Sequence, residues 1–164
     1  LKTVLLRGNV ETRLAKVESG AVDGTLLALA GLRRLGLAAR ATEILPLEAF
    51  LPAAGQGAVG VTCRGGDHAA SAALAPILDA ATFAALCAER AFLKALDGSC
   101  RTPIAGLAVL EGDAVSFRGE ALQADGRSTY AASGRGPTAE AASIGAGAAR
   151  EILKALPGGV ASLS

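Results

Sequence analysis

The sequence predicts an α/β fold with a parallel or mixed sheet, followed by a small α+β domain. Residues 3–30 contain an apolar run, a helical pattern and a second apolar run, which is the order of a βαβ unit. Residues 104–132 contain three strand-like runs separated by turn residues, with helical patterns on either side. That order is typical of a three-stranded antiparallel sheet with helices on one side.

The composition is that of a folded, aliphatic protein with room for one ordinary domain or parts of two. The chain has 164 residues, of which 51% are hydrophobic, 19% charged and only 3% aromatic. Scarce aromatic residues argue against base stacking, and a net charge of +1 gives no general attraction to nucleic acids or anionic membranes. Charges and turns interrupt every apolar run before the roughly 18 residues that a membrane helix needs. We therefore expect neither nucleic acid nor membrane as a partner.

The three cysteines, Cys63, Cys87 and Cys100, form neither a paired disulfide framework nor a metal-binding pattern. An odd number of cysteines suits a reducing compartment, so we expect a cytoplasmic protein. His68 is the only histidine, and without further ligands at suitable spacing no metal site is predicted. Cys63 and Cys87 fall in apolar runs and are predicted to be packing residues.

The first predicted strand, 3–6, leads into a helix that begins after Asn9 and stops at Gly20. Arg7 follows the carboxyl end of this strand, and Arg13 lies one turn into the helix. Ligands of open α/β sheets bind at this edge, where helix N–H groups and guanidinium groups hold carboxylates or phosphates. The alternative interpretation is two solvated arginines on a helix surface.

A second predicted strand, 23–30, is almost wholly apolar and is followed by Arg33 and Arg34. Neighbouring residues on a helix diverge by about 100°, so only one of these arginines is expected to face the same edge as Arg7. Periodicity does not choose between them.

A glycine-rich crossing segment occupies residues 44–63. Its Gly55-x-Gly57-x-x-Gly60 pattern matches a dinucleotide-binding fingerprint, but a proline precedes it and a strand-like run, 59–63, follows it. The fingerprint requires a strand before it and a helix after it. We therefore expect a hinge or a close backbone approach to a ligand.

The rest of the chain predicts the α+β domain element by element. Two helices are predicted over 69–96, with Thr82 as the N-cap of the second, and a last helix over 138–156, with Thr138 as its N-cap. The predicted strands are 104–110, 114–122 and 129–132.

Cys100 is predicted to lie on a tight turn between the second of these helices and the first strand. It follows Asp97-Gly98, where the helical pattern stops, and Arg101 stands beside it. A turn position next to a cation favours the reactive thiolate, whereas the simpler interpretation is a small turn residue.

Five segments, in this order, resemble the porphobilinogen deaminase family, also called hydroxymethylbilane synthase. They are 6–14 (LRGNVETRL), 30–37 (AGLRRLGL), 51–60 (LPAAGQGAVG), 88–93 (AERAFL) and 96–104 (LDGSCRTPI). One such segment alone is a weak signal, but five in order across nearly the whole chain are specific.

The resemblance implies three domains, the first two of periplasmic-binding-protein type, in a monomer when full length. Residues 1–51 would be the later part of the second domain, 52–75 a hinge and a strand returning to the first, and 76–164 the C-terminal domain with the cofactor cysteine. Most of the first domain would be absent. A chain that contains no Met and begins in a strand-like run agrees with the C-terminal portion of a longer polypeptide.

The resemblance also implies a reaction in tetrapyrrole biosynthesis. Four porphobilinogen molecules would be joined head to tail into hydroxymethylbilane with release of ammonia. The growing polypyrrole would be built on a dipyrromethane cofactor, held by a thioether to Cys100. By the same resemblance Arg7 and Arg13 are catalytic, and the residues that bind substrate are Arg7, Arg13, Arg34, Gln56 and Gly57.

Two departures from the family pattern concern the cysteine segment and the missing portion. Ser99 stands where the family usually has a glycine, and Arg101 where a smaller or polar residue is more usual. The family's catalytic aspartate would belong to the absent portion, so we expect no turnover by these residues alone. The alternative function is a non-catalytic anion-binding module of periplasmic-binding-protein type, in which Cys100 has no role.

Overall fold

The computed structural model describes residues 1–98, 102–123 and 125–156, and the chain divides into two compact units, Leu1–Pro46 and Leu47–Ser164. The helices in the described residues are α1 Val10–Glu18, α2 Leu29–Arg34, α3 His68–Leu74, α4 Ala80–Ala95 and α5 Ala141–Ala155. Short 3-10 helices occupy Ala38–Arg40, Ala75–Ile77 and Thr138–Glu140, and the strands are β1 Ile104–Glu111, β2 Ala114–Leu122 and β3 Thr129–Pro137. Over these ranges no single helix is long and apolar enough to cross a membrane; α3, extended to Ile77, and α4 pass that test only as a pair bent by 99°.

In the first unit, α1 begins where the sequence predicts. The Asn9 side chain accepts a hydrogen bond from the Thr12 backbone N–H at 2.9 Å, which satisfies one of the free donors at the helix start. The predicted N-cap is therefore confirmed. Arg40 forms an ion pair with Glu18, joining the 3-10 helix Ala38–Arg40 to the last residue of α1 within this unit.

The two strands predicted in the first unit are wrong. Residues 3–6 and 23–28 are outside any strand, and α2 begins at Leu29, where the second strand was expected to continue. An apolar run forms a parallel strand only beside a partner that supplies ladder hydrogen bonds, and these runs do not pair with each other. In each run part of the apolar surface lies in solvent: Leu5 and Leu26 are exposed, whereas Leu6 and Leu27 are half-buried.

The second unit contains the predicted antiparallel meander. The strand order is β1-β2-β3, with Ala105 opposite Glu120 and Arg118 opposite Ser133. Gly112, at φ +62°, allows the tight connection between β1 and β2. The three predicted strands are confirmed, although β3 continues to Pro137, five residues beyond the predicted end.

Both long helices pack on one face of this sheet, as predicted. The Phe92 ring of α4 lies 5.0 Å from the Phe117 ring of β2, centroid to centroid. Aromatic packing of this kind buries a large apolar area. The residues that form the core are Ala88, Phe92, Leu96, Ile104, Ala108, Val115, Phe117, Ala121, Ala141, Ala148, Ala149, Ile152 and Leu156.

Two predicted helix caps are wrong. The N-cap of helix α4 is Asp79 and not Thr82, because the Asp79 side chain accepts the Thr82 N–H at 2.6 Å and the helix already begins at Ala80. The hydroxyl of Thr138 instead donates to the Asp113 carbonyl at 2.9 Å, and α5 begins after Glu140 without a side-chain cap. In both cases a carboxylate or a tertiary contact outcompetes the local threonine cap.

The strand-like run 59–63 also remains outside any strand. It lies between the glycine-rich turn at 54–57 and the α3 N-cap, Asp67, and its side chains are exposed. Like the runs of the first unit, it has the composition of a strand without a ladder partner in the described residues.

Candidate functional site

The segment 7–13, called here the arginine turn, precedes and opens helix α1. Side chains of this segment and of the following turn of α1 hold its backbone. Arg13 Nε donates to the Gly8 carbonyl at 3.0 Å, and Lys16 Nζ donates to the Arg7 carbonyl at 3.1 Å. With the Asn9 cap, hydrogen bonds are therefore made to three successive residues, Arg7, Gly8 and Asn9. The arrangement fixes the backbone from which the Arg7 side chain projects.

Gly8 makes this turn possible. Its φ is +124°, a conformation that residues with a side chain rarely adopt. A β-carbon at this position would also lie 2.8 Å from Thr12 Cβ, which is too close for any contact. Glycine is therefore required at position 8 both for the backbone conformation and for the lack of space beside Thr12.

The guanidinium groups of the arginine turn are available to an anion. Arg7 is exposed and Arg13 is half-buried. Neither takes part in an ion pair within the described residues, where the salt bridges are Arg40–Glu18, Arg127–Asp125, Arg135–Glu111 and Lys154–Glu151. A carboxylate is bound in bidentate fashion by such a group.

Arg34 is the last residue of α2, in the same unit. Leu32 is the buried anchor of that helix, and a β-carbon built on Gly31 would lie 4.0 Å from Val10 Cγ2 of α1. Helix α2 therefore passes close to the start of α1. Arg33 and Arg34 are both exposed, so burial does not choose between them, and the selection of Arg34 stays a prediction.

Gln56 and Gly57 belong to a turn in the second unit, residues 53–57, called here the glycine loop. The Gln56 N–H donates to the Ala53 carbonyl at 3.1 Å. Gly55 has φ +76° and Gly57 has φ +87°, both in the region that favours glycine. Gln56 and Gly57 are exposed, so their backbone and side-chain groups face solvent.

The Glu89 side chain is hydrogen-bonded to the glycine loop, a contact that the sequence did not predict. Its Oε2 accepts the Gly55 N–H at 2.6 Å, and its Oε1 accepts the Ala108 N–H of β1 at 2.9 Å. The only sequence signal is an acid within the broad apolar stripe of α4. A buried acid needs hydrogen-bond partners, so that position is informative once α4 is placed.

Cys100, the predicted attachment residue, lies outside the described residues, as do Ser99 and Arg101. The two residues that precede the cysteine segment are Asp97 and Gly98. Asp97 has φ +49°, and a β-carbon on Gly98 would lie 2.7 Å from Ile104 Cδ1. The end of α4 is thus packed tightly against the start of β1, and the cysteine segment connects these two elements.

The other two cysteines differ from each other. Cys87 is half-buried and packs against the core, as the sequence predicts. Cys63 is exposed, so its predicted role as a packing residue is wrong. The reason is that the strand expected at 59–63 does not form. The described residues contain no group of three or more potential metal ligands.

An arginine turn at a helix start and an exposed glycine loop are features of proteins that bind small organic anions. Two family models match the chain and define its class further. Residues 1–72 match "Porphobilinogen deaminase, dipyromethane cofactor binding domain", and residues 83–154 match "Porphobilinogen deaminase, C-terminal domain". The chain belongs to the porphobilinogen deaminase family.

Individual relatives agree with this assignment. The chain is 52% identical over 152 residues to porphobilinogen deaminase of Nitrobacter hamburgensis, and 51% identical over 152 residues to that of Nitrobacter winogradskyi. Each alignment covers 93% of this chain and 48% of the relative. The chain therefore spans about half the length of these curated relatives.

The two matches divide the predicted site. Arg7, Arg13, Arg34 and the glycine loop fall within the match to the cofactor-binding domain, whereas Cys100 falls within the match to the C-terminal domain. By compact unit, the arginines belong to Leu1–Pro46 and the glycine loop to Leu47–Ser164.

Proposed function

We propose that this chain is part of an enzyme of tetrapyrrole biosynthesis that condenses four porphobilinogens into hydroxymethylbilane. The observation that carries the proposal is an exposed, internally braced arginine turn in a member of the porphobilinogen deaminase family. Each porphobilinogen brings an acetate and a propionate, so substrate and growing polypyrrole are polyanions. Cationic groups that are free of internal ion pairs are what such a ligand requires.

Cys100 is proposed to carry the dipyrromethane cofactor. Its sulfur would displace ammonia from the aminomethyl carbon of a porphobilinogen, forming a thioether while the thiol proton leaves with the amine. When bound, the cofactor supplies the carbon nucleophile to which pyrroles are added. The packing of Gly98 between α4 and β1 supports this role, because it anchors the cysteine segment at one end.

The arginines and the glycine loop are proposed to bind and orient the pyrrole carboxylates. Arg7 and Arg13 would hold the reacting ring and act as the catalytic cations of this chain, with Arg34 binding a further carboxylate. Gln56 and Gly57 would line the cleft. This assignment gives the three arginines, Gln56 and Gly57 roles that fit their exposure, since Arg13 is half-buried and the others are exposed.

The organisation proposed for the complete protein follows from the same family. Residues 1–51 would be the later part of a periplasmic-binding-protein-like domain. Residues 52–75 would return toward the first domain, and 76–164 would form the C-terminal domain. We propose a cytoplasmic monomer completed by an N-terminal portion of the same polypeptide.

An activity measurement tests the proposal in the natural polypeptide that carries these residues. Arg7→Leu removes a guanidinium group and leaves the hydrogen bonds of the arginine turn in place, because Arg7 takes part in them only through its backbone carbonyl. We expect kcat/KM for porphobilinogen to fall by about 10- to 100-fold, the loss of one charge-assisted bidentate contact. Arg127→Leu, which removes an exposed arginine paired with Asp125, is the control. Equal activity of the two variants would contradict the assigned role, and no porphobilinogen consumption by the unaltered protein would contradict the function.

A further inference from the structure

Glu89 is the buried charged residue of the described core, with 7% of its surface exposed. It lies on α4 between Ala88, which is fully buried, and Arg90, which is exposed. Burying a carboxylate is costly, and an apolar residue of similar size at this position would avoid that cost. The position therefore points to a requirement for the carboxylate oxygens themselves.

Both oxygens have a backbone partner, and the two partners lie in different elements. Oε1 accepts the Ala108 N–H at 2.9 Å and Oε2 accepts the Gly55 N–H at 2.6 Å. Ala108 belongs to β1, which is an edge strand of the described sheet. Glu89 thus joins the glycine loop to the rigid edge of the sheet through a single side chain.

A second contact at the same edge sets the direction of the loop. The Gly106 N–H of β1 donates to the Pro52 carbonyl at 3.0 Å, and the neighbouring Leu51 is buried. The chain is therefore hydrogen-bonded to the sheet edge at Pro52 and, three residues later, to Glu89 at Gly55. Between these two anchors and Gly57 the backbone must turn outward, which brings Gln56 to the surface.

Glycine is needed at the point of capture. Gly55 has φ +76°, and a β-carbon there would approach Leu86 Cδ1 of α4 to 3.3 Å. In this conformation the Gly55 N–H points at Glu89 Oε2. The short N···O distance is that of a charge-assisted hydrogen bond, which is about twice as strong as a neutral one.

We propose that Glu89 is a positioning residue: it holds the glycine loop so that Gln56 and the Gly57 backbone are presented to a carboxylate of the bound pyrrole. The ligand assignment rests on the function proposed above, whereas the positioning of the loop does not. If Glu89 only filled the core, replacing it would change the stability of the whole second unit. If Glu89 positions the loop, replacing it should alter the glycine loop more than the rest of that unit.

Glu89→Gln separates these roles because a carboxamide has one acceptor oxygen where the carboxylate has two. It keeps the side-chain volume, but it can accept from only one of the Gly55 and Ala108 N–H groups. The matched control is Glu151→Gln, an exposed acid on α5 that pairs with Lys154. Glu89→Asp is the second variant, since its shorter side chain keeps the charge but does not span both donors.

The first measurement is amide hydrogen exchange, resolved by nuclear magnetic resonance on the natural polypeptide that carries these residues. We expect exchange at Gly55 or Ala108 to become about tenfold faster or more in Glu89→Gln, as for one lost hydrogen bond, while the amide of Ile152 in the core is unchanged. The Glu151→Gln variant should leave all three amides unchanged. Uniform acceleration at the core and loop amides, or no change at either donor, would overturn the proposal. If Glu89→Gln does not fold, the same comparison is made with Glu89→Asp.

The second measurement is made in the cofactor-loaded natural polypeptide with porphobilinogen as substrate. Glu89→Gln is expected to raise KM for porphobilinogen by about tenfold, with a smaller effect on kcat, because the loop contacts the substrate away from the reacting carbon. An unchanged KM with altered Gly55 exchange would overturn the ligand assignment and keep the positioning role. An unaltered protein without turnover would instead contradict the proposed function, so the two failures are distinguishable.

Discussion

At the scale of single residues, the arginine turn depends on a glycine that no other residue replaces. Gly8 combines a φ of +124° with a β-carbon position 2.8 Å from Thr12. The sequence predicted the Asn9 cap because the side-chain acceptor and its target lie three residues apart, a purely local relation. The role of Gly8 and the hydrogen bonds from Arg13 and Lys16, which span five and nine residues, follow no such capping rule, so they were not predicted.

Gly8→Ala tests this dependence. We expect it to lower the free energy of unfolding by about 1–3 kcal/mol, the range for a side chain forced into a left-handed conformation. Gly20→Ala is the control, since Gly20 also has a positive φ, +72°, but has no atom within 4 Å of its β-carbon position. Denaturant titration of both variants separates conformational strain from the steric contact with Thr12. Equal destabilisation in the two would argue against the contact.

At the scale of elements, one glycine of α5 is needed for helix packing and another is not. A β-carbon on Gly145 would lie 2.0 Å from the Ala88 carbonyl oxygen of α4, whereas the nearest atom to one on Gly147 is the flexible end of Arg150 at 3.8 Å. Close approach of two helix backbones therefore requires glycine at 145 and not at 147. The many small residues of α5 favour close helix packing, but their pattern does not indicate which one makes the contact.

Gly145→Ala and Gly147→Ala form a matched pair. The first is expected to destabilise the second unit by about 3 kcal/mol, because the two helices must separate to admit the methyl group. The second is expected to stabilise it by about 0.5–1 kcal/mol through higher helix propensity. Midpoints of denaturant unfolding measure both, and a destabilising Gly147→Ala would contradict this packing.

The stability that the N-cap of α4 contributes is expected to depend on pH. Backbone and side-chain hydrogen bonds from Thr82 hold the pKa of Asp79 below the ordinary aspartate value, which is about 3.9. A lowered folded pKa means that the cap contributes stability above the unfolded value and loses it as the pH falls through the folded one. We expect Asp79→Asn, which keeps a capping oxygen, to reduce the loss of stability below about pH 4 while leaving neutral stability nearly unchanged. Thermal unfolding from pH 3 to 7 measures this, and identical pH profiles would contradict it.

At the scale of the whole molecule, the sequence was informative where structure is local and misleading where it depends on partners. Strands β1 to β3 were predicted because hairpins carry both pairing and turn signals in one continuous segment. The runs at 3–6 and 23–28 have strand composition, but parallel strands pair with segments distant in sequence, and they are not strands here. Glu89 was missed for the same reason, since its partners Gly55 and Ala108 are 34 and 19 residues away.

The central claim is that Cys100 carries a two-pyrrole group, and the mass of the intact natural polypeptide tests it most directly. We expect a mass above that of the sequence by two porphobilinogens less two molecules of ammonia. Cys100→Ser should lack this addition, and Cys63→Ser, which removes an exposed cysteine of the same chain, should retain it. An unmodified Cys100 in the natural polypeptide would contradict the account and favour a non-catalytic anion-binding module. An adduct that persists in Cys100→Ser would contradict the assignment of the attachment to Cys100.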